Sequence, residues 1–146
     1  FGNDERHYWE SDVAWQGFRE LMERTLTVWD WGEAIVVLNL VAKPAIEESV
    51  LRALGEAARH NGDTLLGLLT DAQLIDSARH RRWLAAFVRM ASETSGNLEL
   101  IREWVARWEP LADKAIEAYC GALPDAPDAV NAAKQATRAF RQSLGI

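Results

Sequence analysis

The pattern of apolar and polar positions is densest from Trp29 to Pro44, and the rest of the chain arranges itself around that stretch. From Ala34 to Ala42 only Asn39 carries a polar side chain. Alternation is absent, so the run is not a half-buried strand, and length must arbitrate between buried strand and buried helix. The pattern extends from about Asp30 to Arg59 with no turn signal except Pro44, which predicts a helix of roughly 45 Å at ~1.5 Å per residue. A helix apolar on nearly all sides is surrounded by protein or lipid. The apolar run is too short for a membrane span of ~20 residues. It is therefore expected to be the central helix of a helical core, walled in by its own chain and by another. Pro44 predicts a kink within this helix and not a stop.

The flanking patterns are helical as well. Residues 1–10 read as a polar lead-in without periodicity. Ser11 or Asp12 can cap a first helix, whose apolar face is Trp15, Phe18, Leu21, Met22, Leu26 and Trp29. This helix either breaks near Asp30 or runs on. Asn61-Gly62 ends the central helix, and Asp63 caps the next, which carries Leu74, Ile75, Trp83, Phe87 and Met90. Ser95-Gly96-Asn97 is a turn. Leu98, Ile101, Trp104 or Val105, and Trp108 give the following helical face, and Pro110 predicts a break and a fresh helix start. Gly121 to Pro127 reads as a loop, and a last alanine-rich helix runs from about Asp128 to Leu144. No strand pattern and no repeat occurs. The fold class is all-α, with five to six helices.

Composition narrows the function classes. The chain has 146 residues, 49% hydrophobic and 26% charged, which is globular and large enough for one real core. A net charge of −6 disfavours nucleic acid, because phosphate binding wants a basic face. The single Cys120 excludes an internal disulfide or a cysteine zinc site and fits a reducing, cytoplasmic setting. Neither a signal peptide nor a membrane-spanning run is expected. Seven Trp suit a core or a protein interface. The opening Phe1-Gly2, without Met, suggests a fragment of a longer protein.

Catalytic chemistry is thinly represented. A di-iron helical bundle needs Glu-x-x-His pairs on inward faces, and this sequence has none. Asp4-Glu5-Arg6-His7 has the right separation but lies in the polar lead-in. His60 suits a helix C-terminus, where the dipole favours a partly cationic ring. Ser77-x-x-His80 has ligand spacing with the wrong first residue, and a hydrogen-bonded interior or interface histidine is the expected role of His80. The run Arg79 to Arg82 is expected to meet carboxylates, such as Asp71, Asp76 or those of a partner, rather than phosphate. Cys120 has no basic neighbour to lower its pKa and is expected to be a buried, inert thiol.

At these motifs the sequence resembles a known family. Trp29-Asp30-Trp31-Gly32-Glu33-Ala34 with Leu38-Asn39-Leu40-Val41-x-Lys43-Pro44 is similar to the signature of the β subunits of bacterial multicomponent, soluble di-iron monooxygenase hydroxylases. Ala58-Arg59-x-Asn61-Gly62-Asp63-x-Leu65-Leu66 and Asp76-x-x-Arg79-x-Arg81-Arg82-Trp83 follow in order. The resemblance covers about residues 11–123. It looks closest to the propane and related alkane or alkene group, with phenol and toluene hydroxylases further off.

That resemblance implies a ferritin-like, ribonucleotide-reductase-like helical bundle, here its C-terminal part. Residues 1–10 would be a lead-in, 11–123 the bundle portion and 124–146 a loop and helix. It also implies a non-catalytic β subunit bracing an α subunit that holds the di-iron centre, in an α2β2 or α2β2γ2 complex served by a reductase and a coupling protein. The complex would hydroxylate or epoxidise small hydrocarbons with O2 and NADH-derived electrons. Registered on Asn61-Gly62-Asp63, Lys43 falls where the α subunits have a lone ligand Glu, Ser77 where a second Glu stands, and His80 on a ligand His. Neither metal nor cofactor is thus expected on this chain, nor any catalytic residue. Trp29, Trp31, Arg79, Arg81, Arg82 and Trp83 are the expected core or subunit-interface residues. The alternatives are a stand-alone helical metalloenzyme using His7, His60, His80, Glu33 and Glu47, or a helical adaptor.

Overall fold

The computed structural model describes residues 3–124 and 126–146, with the backbone alone of Asn3 and Asp4. Six helices and no strand occur among the described residues. They are α1 (Asn3–Ser11), α2 (Val13–Thr25), the central helix α3 (31–60), α4 (Thr64–Ser92), α5 (Asn97–Cys120) and α6 (Ala126–Ser143).

Local chemistry sets most boundaries. Asp12 caps α2 by accepting from the Ala14 N–H at 2.8 Å. The Asp30 carboxylate accepts from Gly32 and Glu33 at 2.7 and 3.0 Å and starts α3. The first apolar helix thus ends at Thr25, and Trp29 lies outside it. Gly62 takes a φ of 80° in the turn between α3 and α4, and Asp63 caps α4 through Leu66 N–H at 3.0 Å. Gly96, at a φ of 87°, makes the next reversal. These left-handed positions are where glycine is least strained.

Three expectations of the sequence fail here. The polar lead-in is helical: α1 is exposed along its described side chains from Glu5 to Ser11 and held by pairs such as Arg6 with Glu10. Pro110 does not divide α5, which continues from Asn97 to Cys120. Pro110 is exposed, so its missing hydrogen bond is on the wet side of the helix, where water can serve the freed carbonyl. The last helix begins earlier than expected, with Pro127 inside its first turn, a position where proline costs no bond.

Pro44 is accommodated without ending α3. The backbone widens into π turns on both sides, at Val37–Ala42 and Glu47–Ala53. The Lys43 N–H reaches back five residues to the Leu38 carbonyl. Because Pro44 has no N–H, the Leu40 carbonyl is left without its usual helical donor. Arg141 of α6, only 4% exposed, approaches that carbonyl at 3.5 Å and pairs with Glu109 of α5.

The core forms where α2, α3 and α5 meet. Phe18, Leu21, Val37, Leu40, Val41, Ala45, Ile116 and Cys120 are almost fully buried there. At Gly17 a Cβ would stand 2.5 Å from the Ala115 Cα, so α2 and α5 touch backbone to backbone. Helix α4 folds back on the second half of α3 as a helical hairpin, with Leu84 and Val88 in the core. No described helix is long and apolar enough to cross a membrane.

Candidate functional site

The polar centre of the molecule lies between α3 and α4 and is built by the second π segment. Glu47 and Glu48 are consecutive, yet both are buried, at 2% and 3% exposure. Adjacent residues of an α-helix diverge by ~100°, and a π turn narrows that angle. Arg81 of α4 serves both carboxylates: its Nε donates to Glu47 Oε2 at 2.8 Å and its Nη2 to Glu48 Oε1 at 2.7 Å. Arg52 donates to Glu48 Oε2 at 2.7 Å. The Arg81 guanidinium also lies 4.8 Å over the Phe140 ring of α6. Burial opposes the charge of Arg81, and its bonds to Glu48 and Glu47 outweigh burial, so its pKa is raised.

Lys43, one turn before Glu47, places its Nζ 3.6 Å from Glu47 Oε1. That distance is an ion pair and not a hydrogen bond. Glu47 Oε1 and His80 Nε2 are both buried without a hydrogen-bond partner. Burial, then the charge of Lys43, lowers the His80 pKa, against a smaller opposing pull from Glu47. Ser77 is buried one helical turn before His80. The structure therefore brings Lys43 and His80 into electrostatic contact around Glu47 and leaves His60, at the far end of α3, and His7, on α1, exposed. The Asp4 member of the Asp4–His7 pair lies outside the described side chains. Glu33 is engaged elsewhere, accepting from the Trp108 indole at 2.8 Å and from Arg107 at 3.1 Å. The histidine-based metalloenzyme constellation is thus not assembled.

The expected core or interface residues divide. Trp29, Trp31 and Trp83 are 100%, 73% and 54% exposed, so none belongs to the core of this chain. Arg79 pairs loosely with Asp76 at the surface, and Arg82 is exposed. Of the three arginines of the run, Arg81 alone reaches inward. Asp71 is taken instead by Arg59, at 3.2 Å. Glu48, with no place among the expected site residues, is half of the Arg81 site; its signal was an acidic pair one turn past Pro44, directly after the apolar run 34–42. Cys120 is free and buried, its thiol pushed up to about 11 by burial.

Helix α4 has two apolar sides. Gly67, Thr70, Ser77, Leu84 and Val88 face α3 and the core. On the opposite side Leu65, Leu68, Leu69, Ile75, Trp83 and Met90 recur at helical spacing, all more than half exposed. Such a stripe on a helix marks a surface that another element covers.

Residues 1–95 match the family described as Methane/Phenol/Alkene Hydroxylase. The chain belongs to that family. It is 52% identical over 122 residues to the hydroxylase component subunit beta of the toluene-4-monooxygenase system of Ectopseudomonas mendocina, covering 84% of this chain and 37% of the relative. It is 28% identical to the phenol 2-monooxygenase oxygenase component of Pseudomonas sp. strain CF600, over 75% of this chain and 33% of that protein. A small hydroxylase subunit of propane 2-monooxygenase from Gordonia sp. strain TY-5 is 27% identical, over 75% and 31%. A solved structure of toluene 4-monooxygenase, with toluene in the resting active site, superposes with a TM-score of 0.77 at 54% identity, over 79% of this chain and 38% of that one. The fold is accordingly ferritin-like. The chain spans about a third of the length of the relatives it matches. The expected order within the family is overturned for the toluene relative, which at 52% stands well above the propane relative at 27%, while the phenol relative at 28% is level with propane.

Among the described residues no group of three or more His, Cys, Asp or Glu side chains could hold a metal. Around His80 the donor chemistry explains this: one carboxylate oxygen and one imidazole nitrogen remain, and an ammonium stands beside them. These residues do not fit a di-iron centre.

Proposed function

We propose that this chain is part of a non-catalytic β subunit in the hydroxylase component of a soluble di-iron monooxygenase. Its work is to brace an α subunit that holds both irons and carries out the oxygenation. The reading rests on the 52% identity to a hydroxylase beta subunit. Supporting it, the polar centre between α3 and α4 lacks the donors for two irons, while α4 and the Trp29–Trp31 corner present apolar surface outward. The complex takes O2 and electrons from an NADH-linked reductase, with a coupling protein, and inserts one oxygen into a C–H or C=C bond of a small hydrocarbon. Residues 11–123 make the ferritin-like portion, and the subunits assemble as α2β2 or α2β2γ2 in the cytoplasm. Trp29, Trp31 and Trp83 lie at subunit contacts, where buried aromatic side chains anchor large interfaces.

Native mass spectrometry of the protein taken from its own cells tests this. A complex with a larger chain, all iron leaving on that chain, is the expected result. A monomer carrying two irons by itself overturns it. Within the complex, Trp31→Ala is expected to weaken assembly by at least tenfold, with little change in melting temperature. Unchanged assembly with a lowered melting temperature would assign Trp31 to internal packing.

A further inference from the structure

The polar centre between α3 and α4 contains a charge arrangement that neither catalysis nor bracing requires. Two buried carboxylates, Glu47 and Glu48, face three cations, Lys43, Arg52 and Arg81. Arg81 and Arg52 satisfy Glu48 on both oxygens and Glu47 on Oε2. What remains is Glu47 Oε1, on a side chain 3% exposed, and the buried His80 Nε2 on the facing helix, neither with a hydrogen-bond partner. A carboxylate oxygen and an imidazole nitrogen left over together are ligands of the kind that Zn, Fe or Co bind. The Lys43 ammonium stands 3.6 Å from that oxygen.

We infer that Lys43 is a built-in cation standing where a divalent transition metal would otherwise sit between Glu47 and His80, and that this one side chain keeps the site metal-free. The sign of the charge decides it. With His80 neutral, the five ionised groups already sum to +1. A divalent ion added beside Lys43 would raise a partly buried cluster to +3, and Coulomb repulsion between a unit and a double charge a few ångströms apart amounts to several kcal/mol even at an effective dielectric near 20. The ammonium is tethered to α3, so it stands beside Glu47 Oε1 whenever the chain folds. The inference stands on this chain's own residues and does not depend on the bracing role.

The test is Co2+ binding by the intact protein, read by equilibrium dialysis and by the visible absorption of bound cobalt, with circular dichroism as the check on folding. The wild type and Lys43→Arg are expected to bind no Co2+ that His80→Ala abolishes. Lys43→Gln is expected to gain at least tenfold in affinity. Lys43→Glu with Ser77→Glu, which sets three carboxylates and His80 on the two facing helices, is expected to bind one Co2+ per chain. In each gaining variant, adding His80→Ala removes the gain. Wild-type protein that binds Co2+ through His80 would overturn the inference. So would a folded Lys43→Gln protein with no gain, whatever the double variant does.

Discussion

At His80, burial and the neighbouring Lys43 charge both disfavour the imidazolium, and Glu47 only partly offsets them. The folded pKa therefore lies below the ordinary 6.5. Above 6.5 the ring is neutral in both folded and unfolded chains and leaves stability independent of pH. As pH falls below 6.5 the unfolded chain takes up its proton first, and stability declines until pH has passed through the lower folded value. Lys43→Gln removes one of the two causes, so it is expected to raise the His80 pKa toward 6.5, measurable by NMR titration of the imidazole. A pKa that stays put would mean that burial alone sets it. His80 was legible in the sequence as an interior or interface histidine. Its lack of a partner was not, because that depends on how Arg81 claims the nearest carboxylates.

At the scale of elements, capping and turn chemistry located most boundaries. Asp12, Asp30 and Asp63 accept from the free N–H groups of the helices that follow them, and Gly62 and Gly96 take the left-handed turns. Proline was a mixed guide. Pro44 was expected to leave α3 unbroken, and α3 continues through it by way of π turns, whereas Pro110 was expected to break α5 and, being exposed, does not. The reach of Arg141 across to the Leu40 carbonyl is a tertiary answer to the proline, and no local pattern announces it. The same holds for Gly17, an ordinary small residue in a helix until α5 is laid against it. Gly17→Ala would drive a methyl group into the Ala115 backbone. Overpacking of this kind costs about 1–3 kcal/mol, expected as a lower midpoint in urea. A neutral or stabilising result would show that α2 and α5 can part without loss.

For the whole molecule, the exposed Leu65, Leu68, Leu69, Ile75, Trp83 and Met90 stripe is the feature with most consequence. Apolar stripes of that size on one helix drive association unless covered. This chain by itself is therefore expected to self-associate at micromolar concentration in sedimentation velocity. Leu68→Glu paired with Ile75→Glu should return it to monomer with its helix content intact. Monomeric behaviour of the unmodified chain would show that the stripe is tolerated by water.

The sequence alone determined the all-α class, the span of the central helix, the capped hairpin at Asn61-Gly62-Asp63 and the family, because each is written in local spacing or in a contiguous motif. It also placed a cation at position 43 and a serine at position 77. The tertiary structure decided which charges meet. Arg81 turned inward and Arg79 and Arg82 outward, Glu48 joined the polar centre, and Trp29 and Trp31 went to the surface. Apolar residues are written into a sequence without saying whether their own chain or another will cover them. Burial is a property of the neighbours that arrive, and only packing the helices reveals which sides are left open.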